Sequence, residues 1–177
     1  MKNIVAISGS LKSNSANTAI LNAAIKLSVQ SLNIVLYTGI GDLPHFNPDI
    51  DGGKSPEVVK QYRHVIRSAD GILICTPEYV FAVPGVLKNS LDWLVASGEY
   101  IDKPVMAISA SPLVSGGISA HKSLVNTLKT MSARLIDEAS LNIGAVSKKL
   151  DTDGNLADVD TIRKLKAART LFSNNID

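Results

Sequence analysis

The chain has 177 residues, 45% of them apolar, enough for one domain with a substantial core. A formal net charge of +2 gives no electrostatic case for nucleic acid or an anionic membrane, and no apolar run approaches the roughly 20 residues of a membrane span. The single cysteine, Cys75, excludes an intramolecular disulfide framework and favours a reducing compartment; with His45, His64 and His121 widely spaced, it forms no zinc-ligand cluster.

The N terminus runs straight into a short apolar stretch without a cleavable-signal pattern, so a soluble cytoplasmic protein is expected. That stretch, residues 3–7 (NIVAI), reads as a strand. Residues 16–31 place Ile20, Leu21, Ala24, Ile25 and Leu27 at helical spacing. Residues 33–37 (NIVLY) form the second strand, and the Gly- and Pro-rich segment 39–53 a long loop. Ser55-Pro56-Glu57 has the order of an N-cap, a first-position proline and an acidic first turn, predicting a helix to about Ala69.

Residues 71–76 (GILICT) form the third strand. The segment 84–97 reads as a helix opening with Pro84 and closing near Gly98. Residues 104–110 form a fourth strand, 119–132 a helix, and 135–143 contain a weaker fifth strand. The stretch KKLDTDGN is a turn, and residues 158–173 close the chain with a helix.

Strands alternating with helices imply parallel crossovers and helices on both sheet faces. The first, third and fourth strands are continuously apolar, as central strands of a covered parallel sheet should be. There is no internal repeat or interdomain linker. The expectation is one α/β domain over residues 1–177, a three-layer, doubly wound, flavodoxin-like fold with a five-stranded parallel sheet in the order 2-1-3-4-5.

Ligands of such sheets sit beyond the carboxyl ends of the strands. The loops there read SGSLKSNSAN (8–17), TPEYVFAVPG (76–85) and SASPLVSGG (109–117). The first leads into a helix N-terminus, whose free N–H groups suit a phosphate. Ser10, Ser15, Asn17 and Thr18 add hydrogen-bonding groups and Lys12 adds charge. The same residues would also serve as a simple helix cap. The loop is neither G-x-G-x-x-G nor G-x-x-x-x-G-K-[ST], which counts against a dinucleotide or nucleoside-triphosphate site. In the second loop, Pro77 and Pro84 stiffen a segment whose backbone could meet a planar heterocycle, with Tyr79 as a flat surface. An ordinary connection with Tyr79 and Phe81 capping the core is equally open. In the third, Gly116-Gly117 allows close backbone approach or merely a flexible turn.

Together these loops resemble the NADPH-dependent FMN reductase family of flavin, azo, chromate and quinone reductases. The resemblance rests on GSLKSNSAN, on PEYVFAVPGVLKNSLDW and on DLPHFNPDID (42–51), which matches that family's L-P-x-[FY]-N-P-D. It spans about two thirds of the chain, to Gly117. It implies non-covalent FMN, with Ser10, Lys12, Ser15, Ala16 and Asn17 around the phosphate. Pro77, Glu78, Tyr79 and Val80 would line the ring and ribityl chain, and Ser111, Ser115, Gly116 and Gly117 the other ring edge. Lys12 stands where the family usually has Arg, losing the bidentate fork. Val80 stands where it usually has Asn, losing an amide. After Gly117 the chain reads Ile118-Ser119-Ala120-His121 where the family often has an Arg.

The implied activity is hydride transfer from NADPH or NADH through FMN to a small-molecule acceptor, in a homodimer or homotetramer. The flavin would carry the chemistry and no side chain need act as acid or base. Glu78 then reads as structural, Cys75 as a small buried hydrophobe, His45 and His121 as solvated, and Trp93 as core or interface. A flavodoxin-type electron carrier or a plain FMN-binding module is the alternative. The slight positive charge counts against an acidic carrier, and the lack of clustered acids after the first strand against a receiver domain.

Overall fold

The computed structural model describes residues 1–27 and 31–176. Its strands are β1 (Lys2–Ser8), β2 (Leu32–Tyr37), β3 (Gly71–Thr76), β4 (Pro104–Ala110), β5 (Arg134–Leu135) and β6 (Leu141–Ile143). Its helices are α1 (Ala16–Lys26), α2 (Glu57–Ser68), α3 (Gly85–Asp92), α4 (Ile118–Thr130) and α5 (Val159–Asn174). All pairings are parallel and the order is β2-β1-β3-β4-β5, with β6 also on β4.

β3 and β4 are buried along their whole lengths, whereas the edge strand β2 alternates buried and exposed residues. Two apolar layers flank the sheet. Ile7, Ile72, Ile74 and Val105 face α2, α3 and α4, where Tyr62, Ile66, Leu91 and Leu124 cover them. Ile4, Leu73, Met106 and Ile108 face α1 and α5, where Ile20, Leu21, Leu165 and Phe172 cover them. The period-2 alternation of the strands thus feeds both layers.

Several boundaries differ from expectation. The first helix, predicted to reach residue 31, ends at Lys26 with Leu27 as its C-cap, and residues 28–30 of the predicted stretch lie outside the described residues. The second helix begins one residue late, with Pro56 at the N-cap; Ser55 instead turns inward and accepts from Arg63 Nη1 at 2.9 Å. The fifth strand is broken by a single 3-10 turn at Asp137–Ala139, which buries Ala139, so β5 and β6 pair separately with β4. The helix expected over 84–97 stops at Asp92. Arg63 forks onto the Trp93 carbonyl with Nε at 3.0 Å and Nη2 at 2.6 Å, taking the acceptor that a continuing helix would use.

The same arginine meets Asp51 at 2.6 Å. Burial pushes the Asp51 carboxyl up, but bonds from Arg63, Gly52 and Ser55 outweigh it and hold the carboxyl below its usual range. Segment 39–53 is further pinned by Trp93 Nε1 and Asn89 Nδ2, which donate to the Pro44 carbonyl at 2.8 and 3.0 Å. Phe46 N–H donates to Asn89 Oδ1 at 2.8 Å, and its ring stands edge-on to Trp93, centroids 5.1 Å apart. Trp93 is therefore core.

Candidate functional site

Strand register decides where the loops meet. Ser8 lies opposite Cys75, Thr76 opposite Ser109, and Ala110 opposite Ile143, so β1, β3, β4 and β6 end level. Their loops leave from one edge, at the point between β1 and β3 where the order reverses. The first loop crosses β3 closely: a Cβ on Gly9 would stand 3.0 Å from Leu87 Cδ2 and 3.1 Å from Thr76 Oγ1. Beside this edge runs a groove of about 730 Å³.

The head of the groove is the start of α1. Ser15 is the N-cap, its Oγ accepting from Asn17 N–H at 3.2 Å, and its carbonyl takes Ala19 N–H at 2.9 Å. The N–H groups of Ala16 and Thr18 have no acceptor among the described residues. No acid sits in the first turn of α1. Strand-end side chains brace the loop from below. Thr18 Oγ1 donates to Ser8 Oγ at 2.9 Å, Ser8 Oγ donates to the Ser10 carbonyl at 3.3 Å, and Cys75 Sγ donates to Asn17 Oδ1 at 3.2 Å. Ser10, Lys12, Ser15, Ala16 and Asn17 all line the groove. The helix dipole, the free N–H groups and Lys12 make this end suited to an anion.

In the second loop Pro77 and Tyr79 line the groove. Tyr79 and Ala82 exchange both backbone hydrogen bonds, at 3.0 and 3.1 Å, closing a two-residue turn with Val80 at φ 50° and Phe81 at φ 58°. That is the primed turn that usually carries Asn-Gly. Here two bulky apolar residues occupy it, with Val80 95% and Phe81 77% exposed. Glu78 points elsewhere: Oε2 accepts from Ser119 and Ala120 N–H at 2.8 and 2.9 Å. It caps α4, whose own N-cap, Gly117, is left-handed and has no side chain to offer.

The third loop contributes Ala110 and Pro112 to the groove rather than Ser111, Ser115, Gly116 or Gly117. Ser111 is buried and tied to β6 through its N–H on the Ile143 carbonyl, while Ser115 is exposed. Gly116 and Gly117 have positive φ, and a Cβ on Gly116 would lie 3.0 Å from the Gly144 nitrogen. The three loops therefore share one edge, but Glu78, Val80 and these four residues stand outside the groove wall.

The far wall is made by Val146, Ser147 and residues 150–156, most of them within the stretch 148–155 that reads in the sequence only as a turn. Asp151 Oδ1 accepts from Asp153 and Asn155 N–H at 3.0 and 2.8 Å, and Gly154 takes φ 79°. Lys26 Nζ reaches Asn155 Oδ1 at 3.1 Å, fastening the tail of α1 to this turn. The D-T-D-G-N pattern signals a turn but not which helix it meets. His45 is exposed and His121 half-buried against the Ala107 carbonyl, and neither lines the groove. Burial pushes the His121 imidazole below its usual range. Among the described residues no group of three His, Cys, Asp or Glu could hold a metal.

The sequence matches the NADPH-dependent FMN reductase family over residues 2–148. The chain belongs to that family. It is 36% identical to an NADPH:quinone oxidoreductase of Arabidopsis thaliana, over 92% of this chain and 86% of the plant protein. It is 34% identical to an NAD(P)H-dependent FMN reductase of Pseudomonas aeruginosa, over 92% and 88%. The flavoenzyme NAD(P)H:(acceptor) oxidoreductase FerB of Paracoccus denitrificans superposes with a TM-score of 0.90 at 30% identity, covering 99% of this chain and 97% of FerB. The family match ends within the groove's far wall and before α5, while the likeness to FerB covers nearly the whole chain, the Asp151 turn and α5 included.

Proposed function

We propose that this chain is an NAD(P)H-dependent FMN oxidoreductase that reduces a quinone-type acceptor. The observation that carries the reading is the head of α1. A preorganised cradle of N–H and hydroxyl groups beside Lys12, with no acid in its first turn, opens on a groove large enough for a cofactor. FMN, when bound, supplies the ring that accepts hydride from NAD(P)H and passes electrons to the acceptor.

The chain's part is to bind and orient. Ser10, Lys12, Ser15, Ala16 and Asn17 hold the phosphate through the free N–H groups of the first turn and the Lys12 charge. Lys12 acts as a point charge, so orientation falls to the neutral donors. Pro77 and Tyr79 line the ring and ribityl chain from the groove wall, with Glu78 and Val80 of the same loop beside them. Glu78 acts through its backbone, since its carboxylate is engaged on α4. Ser111, Ser115, Gly116 and Gly117, which share the sheet edge but stand outside the groove wall, flank the other ring edge, and positive φ at Gly116 and Gly117 lets the backbone come near. The quinone preference is supported by the similarity to the plant enzyme.

The protein is further read as cytoplasmic and as a homodimer or homotetramer. Val80, Phe81, Leu113 and Val114 on two loops and Ile118 at the start of α4 present apolar side chains to solvent, a surface a second copy would cover.

The deciding experiment is the visible spectrum of the purified protein before and after anaerobic NADPH, then with a soluble benzoquinone. A flavin band that bleaches with NADPH and returns with quinone is expected. A flavin band that NADPH leaves unchanged would make the protein an electron carrier. A colourless protein that FMN does not reconstitute would overturn the cofactor.

A further inference from the structure

We propose that Cys75 is a positioning residue for the anion cradle, its thiol fixing which end of the Asn17 amide faces the groove. The proposal rests on the FMN reading of that cradle. An asparagine amide carries an acceptor at one end and a donor at the other, and only the donor end suits a phosphate. Asn17 lines the groove yet is 4% exposed, so its amide lies between the cradle and the core. Beneath it stands Cys75 on β3, fully buried among apolar side chains, with Sγ 3.2 Å from Oδ1. Nδ2 makes no hydrogen bond to any described residue, which leaves it for the groove.

The thiol is a poor acceptor but has one proton to give. A reversed amide would set N–H groups against sulfur, lose that bond and turn carbonyl lone pairs on an incoming anion. Burial pushes the Cys75 thiol well above its usual range, so the proton stays in place at any working pH. A residue from the strand floor thereby sets the polarity of a group in the loop above.

The test compares dissociation constants for FMN and riboflavin, which differ only by the phosphate, in the unmodified protein, C75S and C75V. Losing a weak neutral hydrogen bond should weaken FMN binding by C75V about three- to tenfold. Riboflavin binding should stay unchanged, and C75S, which keeps a donor, should hold FMN like the unmodified protein. C75A replaces C75V if the latter does not fold. Unchanged FMN binding in C75V, or equal losses for FMN and riboflavin, would overturn the positioning role alone. An unmodified protein that binds neither flavin would overturn the cofactor reading, and this role with it.

Discussion

Val80 and Phe81 hold left-handed backbone that β-branched and aromatic residues adopt at a cost of order 1–3 kcal/mol each. Val80 is 95% exposed, so replacing it removes no buried contact. Val80→Asn should therefore stabilise the protein by about 1 kcal/mol and raise Tm by about 2–4 °C, read by calorimetry. A lower Tm would mean the turn is held by contacts the backbone does not show. Glu78 carries the opposite expectation. Its carboxylate takes two N–H groups of α4, so Glu78→Ala should cost about 1–2 kcal/mol in urea unfolding. An unchanged urea midpoint would show that solvent caps α4 equally well. Neither role had a local signal: E-Y-V-F shows turn residues of the wrong chemistry, and the partner of Glu78 lies about forty residues on.

Helices show the same division between local and distant causes. α5 begins where Asp158 precedes the apolar periodicity, and the carboxylate does cap it, accepting from Thr161 N–H at 2.9 Å. The Thr161 hydroxyl and then Lys149 hold the Asp158 carboxyl down, to about 2 from an ordinary 3.8. A depressed carboxyl contributes stability above its unfolded pKa and loses it as pH falls through the folded one. Tm should thus fall between about pH 4 and pH 2, and Asp158→Asn, which cannot titrate, should flatten that fall. Parallel curves would sink the assignment. α3 was less legible, because its end is set by Arg63, thirty residues earlier, reaching the Trp93 carbonyl. The apolar periodicity through Leu94 says nothing of that. β3 and β4 were legible to the residue because continuous burial leaves a continuous apolar run.

Both apolar layers share one sheet, so the chain is expected to unfold as a unit. Phe172 is 1% exposed in the α1–α5 layer, and Phe172→Ala should cost about 3–5 kcal/mol. Trp93 reports from the opposite layer. Its fluorescence and the far-UV circular dichroism should lose midpoint together in that variant; separated midpoints would mean two units. Layering was legible because continuous apolar runs mark strands covered on both faces, and strand order because alternating strands and helices with five strands favour one doubly wound order. The groove's far wall was not, since only the packing of α1 against the Asp151 turn creates it.

Gly9 adds a constraint on how this sequence can drift. Any side chain there would press on Leu87 and Thr76, which belong to different elements and otherwise serve the core. A larger residue at 9 needs the Leu87 and Thr76 side chains to give way and still meets the Thr76 Cα, 3.3 Å from its Cβ. Change at the mouth of the groove is thereby tied to a helix on the opposite face of the sheet.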